Sequence, residues 1–203
     1  MKLMKLEGLT CQLRKKRYRS YKGSVGKIAP NLLNRDFKAT QPNQKWATDV
    51  TEFKVLGKRF YLSPILDLFN GEVVSYSLTG SPSFAGTIEM LEKAFYCLPE
   101  KVNLILHSDQ GWQYQMKQYQ GLLAERGIQQ SMSRKGNCYD NAVIENFFGL
   151  LKSEFFDNRT FQTESAFQKE LIEYLDYYNN DRIKVKLNGL SPVAYRTQSL
   201  CFT

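Results

Sequence analysis

The strongest constraint on the fold lies between Lys45 and Thr79, where three strand-like runs follow one another with only short turns between them. Residues 46–55, 60–69 and 72–79 are rich in β-branched and aromatic side chains, and Gly57-Lys58 and Asn70-Gly71 separate them. Consecutive runs joined this tightly pair as neighbours, which predicts an antiparallel meander. Asn-Gly favours a tight hairpin, so the second turn is expected to be short. Pro64 interrupts the middle run. A proline cannot donate to a strand ladder, so a bulge or an irregular edge is expected there.

Beyond the meander the apolar period lengthens to three or four residues. Phe84, Ile88, Leu91 and Phe95 predict a helix over about 84–97, ended by Pro99. Val102 to Leu106 reads as a short strand, Tyr114 to Arg126 as a helix closed by Gly127, and Ile128 to Met132 as another strand. The polar run Ser133 to Asn137 is a loop. A long helix follows over about 140–155, with Ile144, Phe147 or Phe148, Leu151 and Phe155 as its buried face, and another spans about 164–178. The fold class is therefore α/β: a mixed sheet of three antiparallel strands and then parallel strands, flanked by helices. At 203 residues there is room for one such domain with appendages.

Charge divides the chain unevenly. Residues 1–38 hold eleven Lys or Arg against Glu7 and Asp36, a balance of +9, whereas residues 39–203 hold seventeen basic and eighteen acidic side chains. The net +8 thus belongs to the N-terminal arm, centred on Arg14, Lys15, Lys16, Arg17 and Arg19 with Tyr18 and Tyr21 interleaved. Such an arm suits phosphates and base or sugar stacking; the bland alternative is a solubilising tail. Residues 1–10 read as the end of a helix and 11–39 as an extended segment, with a boundary at Gln41-Pro42-Asn43. No apolar run approaches a membrane span and no signal peptide is visible, so a cytoplasmic protein without membrane association is expected. Four dispersed cysteines without a CxxC are expected to be buried thiols, and a lone histidine leaves no His/Cys zinc set.

Three carboxylates stand where predicted elements begin or end. Asp49 lies inside the first strand run, Asp109 directly after a short apolar strand, and Glu145 in the long helix. An ionised carboxylate near a core is costly unless paired or bound to metal, and hard divalent cations prefer oxygen ligands. Gathered by the fold, the three could hold two ions ~4 Å apart. The alternatives are ordinary: Asp109 before Gly111 starting a turn, Glu145 a solvated helix residue, Asp49 paired with a lysine or threonine. Lys152, two helical turns beyond Glu145, and Arg134 and Lys135 in the basic loop are candidate phosphate contacts or plain surface cations, with Asn141 on the face of Glu145. Asp140 is expected to cap the long helix.

The strings Trp46-Ala47-Thr48-Asp49-Val50-Thr51, His107-Ser108-Asp109-Gln110-Gly111 and Ser131 to Ala142, continued by Glu145 to Lys152 and by Tyr178 to Pro192, resemble the integrase core of bacterial insertion-sequence transposases of the OrfB type. That family is similar to retroviral integrases in carrying two aspartates and a glutamate with thirty-five residues between the last two, and residues 110–144 make that interval here. The resemblance implies a ribonuclease-H-like fold. It also implies a DDE-type polynucleotidyl transferase in which Asp49, Asp109 and Glu145 are the catalytic residues and bind Mg²⁺ or Mn²⁺, two ions per site. Lys152, Arg134, Lys135, Asn141 and the arm would contact DNA. His107 need not take part in the reaction: beside the strand end it reads as a hydrogen-bonded support, with its proximity to Asp109 leaving a supporting role there open.

The reaction so implied is cleavage and strand transfer during DNA integration. Its partners are double-stranded DNA, as transposon ends and target, and further copies of the chain in a synaptic complex. The location implied is the bacterial cytoplasm, at the nucleoid when DNA is bound. The organisation expected is an arm over residues 1–40, the remnant of a helix-turn-helix region and linker, and a catalytic core with a helical tail over 41–203. Trp112 and Ile183-Lys184 depart from the family pattern without touching a proposed ligand. The competing readings are a non-catalytic DNA-binding remnant of a truncated transposase, a hydrolytic ribonuclease-H-like nuclease, and a scaffold protein.

Overall fold

Opposite Pro64 the first strand run breaks in two. The computed structural model describes residues 26–96, 98, 102–157 and 159–201. In it β1 (Lys45–Thr48) and β2 (Thr51–Val55) both pair antiparallel with β3 (Lys58–Asp67) in one register, Thr48 against Ile65 and Thr51 against Leu62. That register leaves Asp49 and Val50 facing Pro64 and Ser63 without a ladder. The Thr48 hydroxyl donates to the Pro64 carbonyl at 2.9 Å, so the side of Pro64 that lacks an N–H faces β1. The Val50 amide donates to Asp49 Oδ1 instead, at 2.7 Å. The irregularity expected at Pro64 is therefore real, and a register shift against β4 (Val73–Thr79) at Ile65/Leu66 adds to it. The edge position is not: β3 has neighbours on both sides.

The two hairpins differ. Val55 pairs with Lys58 around Leu56 and Gly57, both at positive φ, so the turn read at Gly57-Lys58 falls one residue earlier and Lys58 opens the strand. Asn70-Gly71 does not make a tight hairpin: residues 68–72 form a longer loop held by the Asp67 carboxylate. That carboxylate accepts from the amides of Asn43 and Phe69 and from Arg196 at 2.6 Å. β5 (Ile105–Ser108) then adds parallel to β1, and β6 (Gln129–Met132) parallel to β5. The sheet runs β4-β3-β1/β2-β5-β6, the antiparallel meander on one side and the parallel strands on the other.

Side chains alternate across the sheet and build a core on each face. Trp46, Ile65, Leu104 and Leu106 pack against Met90, Leu91 and Ala94 of α1 (Phe84–Tyr96) and against Tyr119 and Leu123 of α2 (Lys117–Glu125). On α1, Thr87 and Met90 are buried while Phe84 and Ile88 are only partly so. Ala47, Phe53, Phe60 and Leu62 face the other way. They meet Ile144, Phe147 and Leu151 of α3 (Ala142–Leu151) and Phe167, Leu171 and Tyr174 of α4 (Glu164–Asn180). Thr163 caps α4 by accepting from the Ala166 amide at 3.0 Å.

The long helix expected over 140–155 is three pieces: a 3₁₀ turn at Cys138–Asn141, α3, and a π-helical turn at Lys152–Phe156 that still buries Phe155. A last helix, α5 (Pro192–Cys201), is pinned to the β3–β4 loop by the Arg196–Asp67 ion pair. Cys201, expected to be buried, is exposed. Among the described residues no helix is long and apolar enough to cross a membrane.

Residues 26–44 run irregularly along the β6 side. Leu33 is buried there, the Met132 amide donates to the Pro30 carbonyl, and the amides of Leu32 and Leu33 donate to Ser131 Oγ at 2.9 and 3.2 Å. The helix end expected at 1–10 and the basic centre at 14–22 lie outside the described residues.

Candidate active site

β1 and β5 pair with Ala47 against His107. Continuing that parallel register two residues beyond this pair, one past each strand end, sets Asp49 beside Asp109, about 4.8 Å being the usual spacing of neighbouring strands. Alternation puts Asp49 on the face of Ala47, the face covered by α3, and Glu145 lies in the first turn of α3. The three carboxylates line one cleft of about 300 Å³, with Gln110, the loop 133–137 and Asn141 completing its wall. The sequence-predicted triad is thus brought together from two strand ends and a helix.

Their electrostatics are those of like charges crowded together. Among the described residues no cationic side chain forms an ion pair with any of the three. Burial, and then the neighbouring Asp109, push the Asp49 carboxyl up to about 7; the Val50 amide pulls the other way and Glu145 adds a smaller push. Burial also raises Asp109, against the pull of the Gly111 amide, and raises Glu145, the most open of the three. The Gly111 amide reaches Asp109 Oδ1 at 2.7 Å, and a Cβ at that position would lie 2.8 Å from the same oxygen, so a side chain there would have to push aside the ends of Asp109 and Gln113.

Hard oxygen donors crowded on one cleft and uncompensated by cations fit a divalent metal in donor chemistry. Among the described residues, however, no three His, Cys, Asp or Glu side chains are gathered into a ready-made metal site. The carboxylates share a cleft rather than a closed ligand cage.

The supporting residues divide. His107 is buried behind Asp109, with Nδ1 2.8 Å from Ser131 Oγ, and burial lowers its pKa, which keeps the ring neutral. Asn141 and Lys135 line the cleft. Arg134 lines it too, yet its guanidinium is held by Asp140, Nε and Nη2 each at 2.9 Å. Lys152 is not among the residues lining the cleft; its Nζ lies 5.8 Å from the centre of the Phe53 ring, where the π-helical turn begins.

Asp140 does not cap the long helix, whose start carries no side-chain cap. Its carboxylate, at 0% side-chain exposure, accepts instead from Arg134, Arg35 and Asn31. Those hydrogen bonds hold it well below the ordinary carboxylate range, Arg134 contributing most. Sequence reasoning missed this cluster, and it missed Ser131 and Gln110, whose Nε2 bridges to the Ser133 carbonyl at 3.0 Å. The one available signal was an aspartate directly before a predicted helix, and that points to a cap first.

The chain matches the integrase core domain family over residues 39–138 and a second integrase core description over 145–200. It is 55% identical over 198 residues to the putative transposase InsK of insertion element IS150 from Escherichia coli K12, covering 98% of this chain and 70% of that protein. The chain belongs to the integrase-core family of insertion-sequence transposases.

A transposase-like protein of Haemophilus influenzae is equally similar, 55% identical over 199 residues, and this chain covers 92% of it. Among solved structures, the HTLV-2 integrase catalytic core in complex with magnesium superposes with a TM-score of 0.57 at 20% identity, over 78% of this chain and 99% of that one. A simian T-cell lymphotropic virus intasome matches with the same TM-score at 21% identity, over 90% of this chain and 66% of that one. At such identities the likeness concerns the fold, which is ribonuclease-H-like. This is a protein of the family of DNA transposition and integration.

Proposed function

We propose that this transposase-family chain cuts and joins DNA strands with divalent metal ions, Mg²⁺ or Mn²⁺, held by Asp49, Asp109 and Glu145. The observation that carries the reading is the convergence of these carboxylates from β1, β5 and α3 on one cleft, with burial and mutual repulsion lifting Asp49 to about 7. The HTLV-2 integrase core was solved with magnesium. When bound, such ions activate the attacking hydroxyl and neutralise charge on the phosphoryl group.

The reaction is phosphoryl transfer without a covalent protein intermediate. Water or a DNA 3′-hydroxyl gives its proton to solvent and attacks a phosphodiester; the bond to the 3′-oxygen breaks and that oxygen takes up a proton. The freed 3′-hydroxyl in turn gives up its proton and attacks a phosphodiester of a second strand, whose own bond to its 3′-oxygen breaks and leaves a protonated 3′-hydroxyl. The protein supplies position. Asp49 and Asp109 are fixed through the amides of Val50 and Gly111, and neutral His107 braces the end of β5 through Ser131. Lys135, Asn141 and the exposed flank of Arg134 border the cleft where a phosphate backbone would run, and Lys152 would meet DNA beyond it.

The substrate is double-stranded DNA, as element ends and target, engaged also by Arg14, Lys15, Lys16, Arg17 and Arg19 of an arm over residues 1–40 that precedes a core over 41–203. Two ends require two active sites, hence more than one copy of the chain in the complex. It would work in the bacterial cytoplasm on nucleoid DNA. The test is nicking and joining of labelled duplex carrying element ends, with Mg²⁺ or Mn²⁺, beside Asp109→Asn and a chelator control. Products that need metal and vanish in the variant bear the proposal out. A folded, DNA-binding protein that cuts nothing refutes it.

A further inference from the structure

Behind the cleft lies one buried ring whose proton is placed by its neighbours. His107 stands in register between Ala47 of β1 and Ser131 of β6. Directly paired side chains of a parallel sheet share a face, so the ring is on the face of Ala47, the one that α3 covers. Ser131 Oγ accepts from the amides of Leu32 and Leu33, at 2.9 and 3.2 Å, and lies 2.8 Å from His107 Nδ1. A hydroxyl has two lone pairs and one hydrogen. The amides take both lone pairs, so the contact with the ring is made by the hydroxyl hydrogen, and Nδ1 accepts it. The ring is then neutral, and its one N–H is at Nε2.

That N–H has no partner among the described residues, although the ring is only 1% exposed. Asn141 Oδ1, at the start of α3, is a buried acceptor that is equally unmatched. Either atom left alone is costly, and the two are complementary. They are also near one another. Burial lowers the pKa of the ring, and the Asp140 backbone and charge and the Asn141 side chain oppose it, so both residues of that turn bear on the ring. Asn141 stands one helical turn ahead of Ile144, which packs into the core, and of Glu145, which lines the cleft. Its Nδ2 donates to none of the described groups and is not shut in; it opens on the cleft that Asn141 borders.

We propose that His107 is a positioning residue that acts through Asn141: its Nε2–H donates to Asn141 Oδ1 and so presents the Asn141 Nδ2 hydrogens to a DNA phosphate oxygen beside Glu145. The inference rests on the proposed reading of the cleft as a DNA site. Leu32 and Leu33 take part from a distance, because their amides decide which way the Ser131 hydroxyl points. Without them Ser131 would accept from Nδ1, and Nε2 would become an acceptor facing Oδ1. The asparagine amide would then turn over and set its oxygen against the phosphate, which repels it.

The chain has a single histidine, so isotope-labelled histidine gives one ring to follow by NMR. Long-range proton–nitrogen spectra separate a protonated ring nitrogen from a bare one. In the full chain with chelator the expected state is a bare Nδ1 and a hydrogen on Nε2. Asn141→Ala is expected to shift the Nε2 proton signal or to lose it to solvent exchange. A hydrogen on Nδ1 overturns the proposal. So does an Nε2 signal indifferent to Asn141→Ala, which would give that hydrogen to the Asp140 carbonyl instead.

Two substitutions separate positioning from mere bracing of the strands. Glutamine carries an amide nitrogen to where Nε2 stood, whereas the shorter asparagine reaches only as far as Nδ1 and suits Ser131. With element-end duplex and Mn²⁺, single-turnover cutting is expected to fall about tenfold in Asn141→Ala and in His107→Asn, the worth of one hydrogen bond to a charged group. His107→Gln is expected to recover most of the loss. Combining His107→Asn with Asn141→Ala should cost nothing further, because both remove one interaction. Losses that multiply, or asparagine outperforming glutamine, overturn the proposal. A last readout needs no cutting: in chelator, duplex DNA is expected to shift the Asn141 side-chain NH₂ signals in the wild type and in His107→Gln but not in His107→Asn. DNA binding by the wild type without that shift overturns the proposal. A wild type that shows the shift and cuts nothing keeps the His107–Asn141 pair and sinks the cutting reading instead.

Discussion

Replacing Asp49 by asparagine should stabilise the metal-free protein, although it removes a residue proposed to be essential. The carboxyl sits at about 7 in the fold against 3.8 for the free side chain. A group raised in this way adds stability that is complete at pH below about 4 and is lost as pH rises through about 7. At pH 8 the wild type thus keeps a charge that burial and Asp109 both oppose. A difference of about three pH units corresponds to roughly 3–4 kcal/mol. Asparagine keeps an oxygen for the Val50 amide and removes the charge.

For a chain of this length each kcal/mol moves the melting temperature by roughly 2–4 °C, so in chelator at pH 8 the variant should melt on the order of 6–15 °C higher. At pH 5 the folded wild-type carboxyl holds its proton while the unfolded one has lost it, so the gap should shrink to less than half, and the two curves should meet only below about pH 4. Saturating Mg²⁺ should raise the wild type and leave the variant almost unmoved, because a ligand stabilises only the state it binds. Melting curves by circular dichroism at pH 5, 6.5 and 8 make the test. Coincident melting at pH 8 in chelator, or a gap that persists undiminished at pH 5, would show that the carboxylates do not burden one another as described.

Asp140→Asn should cost about 1–3 kcal/mol by removing the charged acceptor shared by Arg134 and Arg35, a loss softened because both arginines are half-exposed and can turn to water, as urea unfolding at pH 7 would measure. The Asp140 carboxyl is depressed in the fold, so its contribution should fade as pH drops below about 4, and the variant's deficit should shrink there. Phe167→Ala, which removes a fully buried ring packed at tilted and edge-on angles among Phe53, Phe60, Phe155 and Phe161, should cost about 3–5 kcal/mol in the same assay. Deleting residues 1–25 should leave the melting temperature nearly unchanged and flatten the dependence of DNA affinity on salt, the log–log slope falling by about 0.9 for each phosphate the arm had neutralised, as filter binding between 50 and 200 mM salt would report. An unchanged slope would assign the phosphate binding elsewhere.

Much of the fold was legible because it is written in periods of two and of three to four. The meander, the strand-helix alternation and the buried face of α3 follow from apolar spacing alone. The boundaries were less so. The strand expected at 102–106 begins at Ile105, because Leu104 already packs into the core while sheet pairing starts only where the Ile105 amide meets the Gln44 carbonyl. The gap at Asp49-Val50 could not be read from the first run, because its cause, Pro64, lies on the neighbouring strand. Asp49, Asp109 and Glu145 were found by chemical type and by resemblance, and the parallel register explains why two of them meet. Asp140 was misread since its donors come from residues 31, 35 and 134, and no local pattern announces a contact across so long an interval.

The segment over residues 30–33, which runs beside β6, has a consequence for solubility. β6 is the last strand of the sheet, and a bare last strand offers its amides and carbonyls to any passing chain. Residues 30–33 lie along that border, where Pro30 has no amide of its own to extend a ladder and Leu33 closes over the apolar rim. A chain trimmed back to Lys45, the start of the first strand, would keep every proposed catalytic side chain and still expose this border. Such a trimmed protein is expected to self-associate edge to edge and to fall out of solution at concentrations the longer chain tolerates.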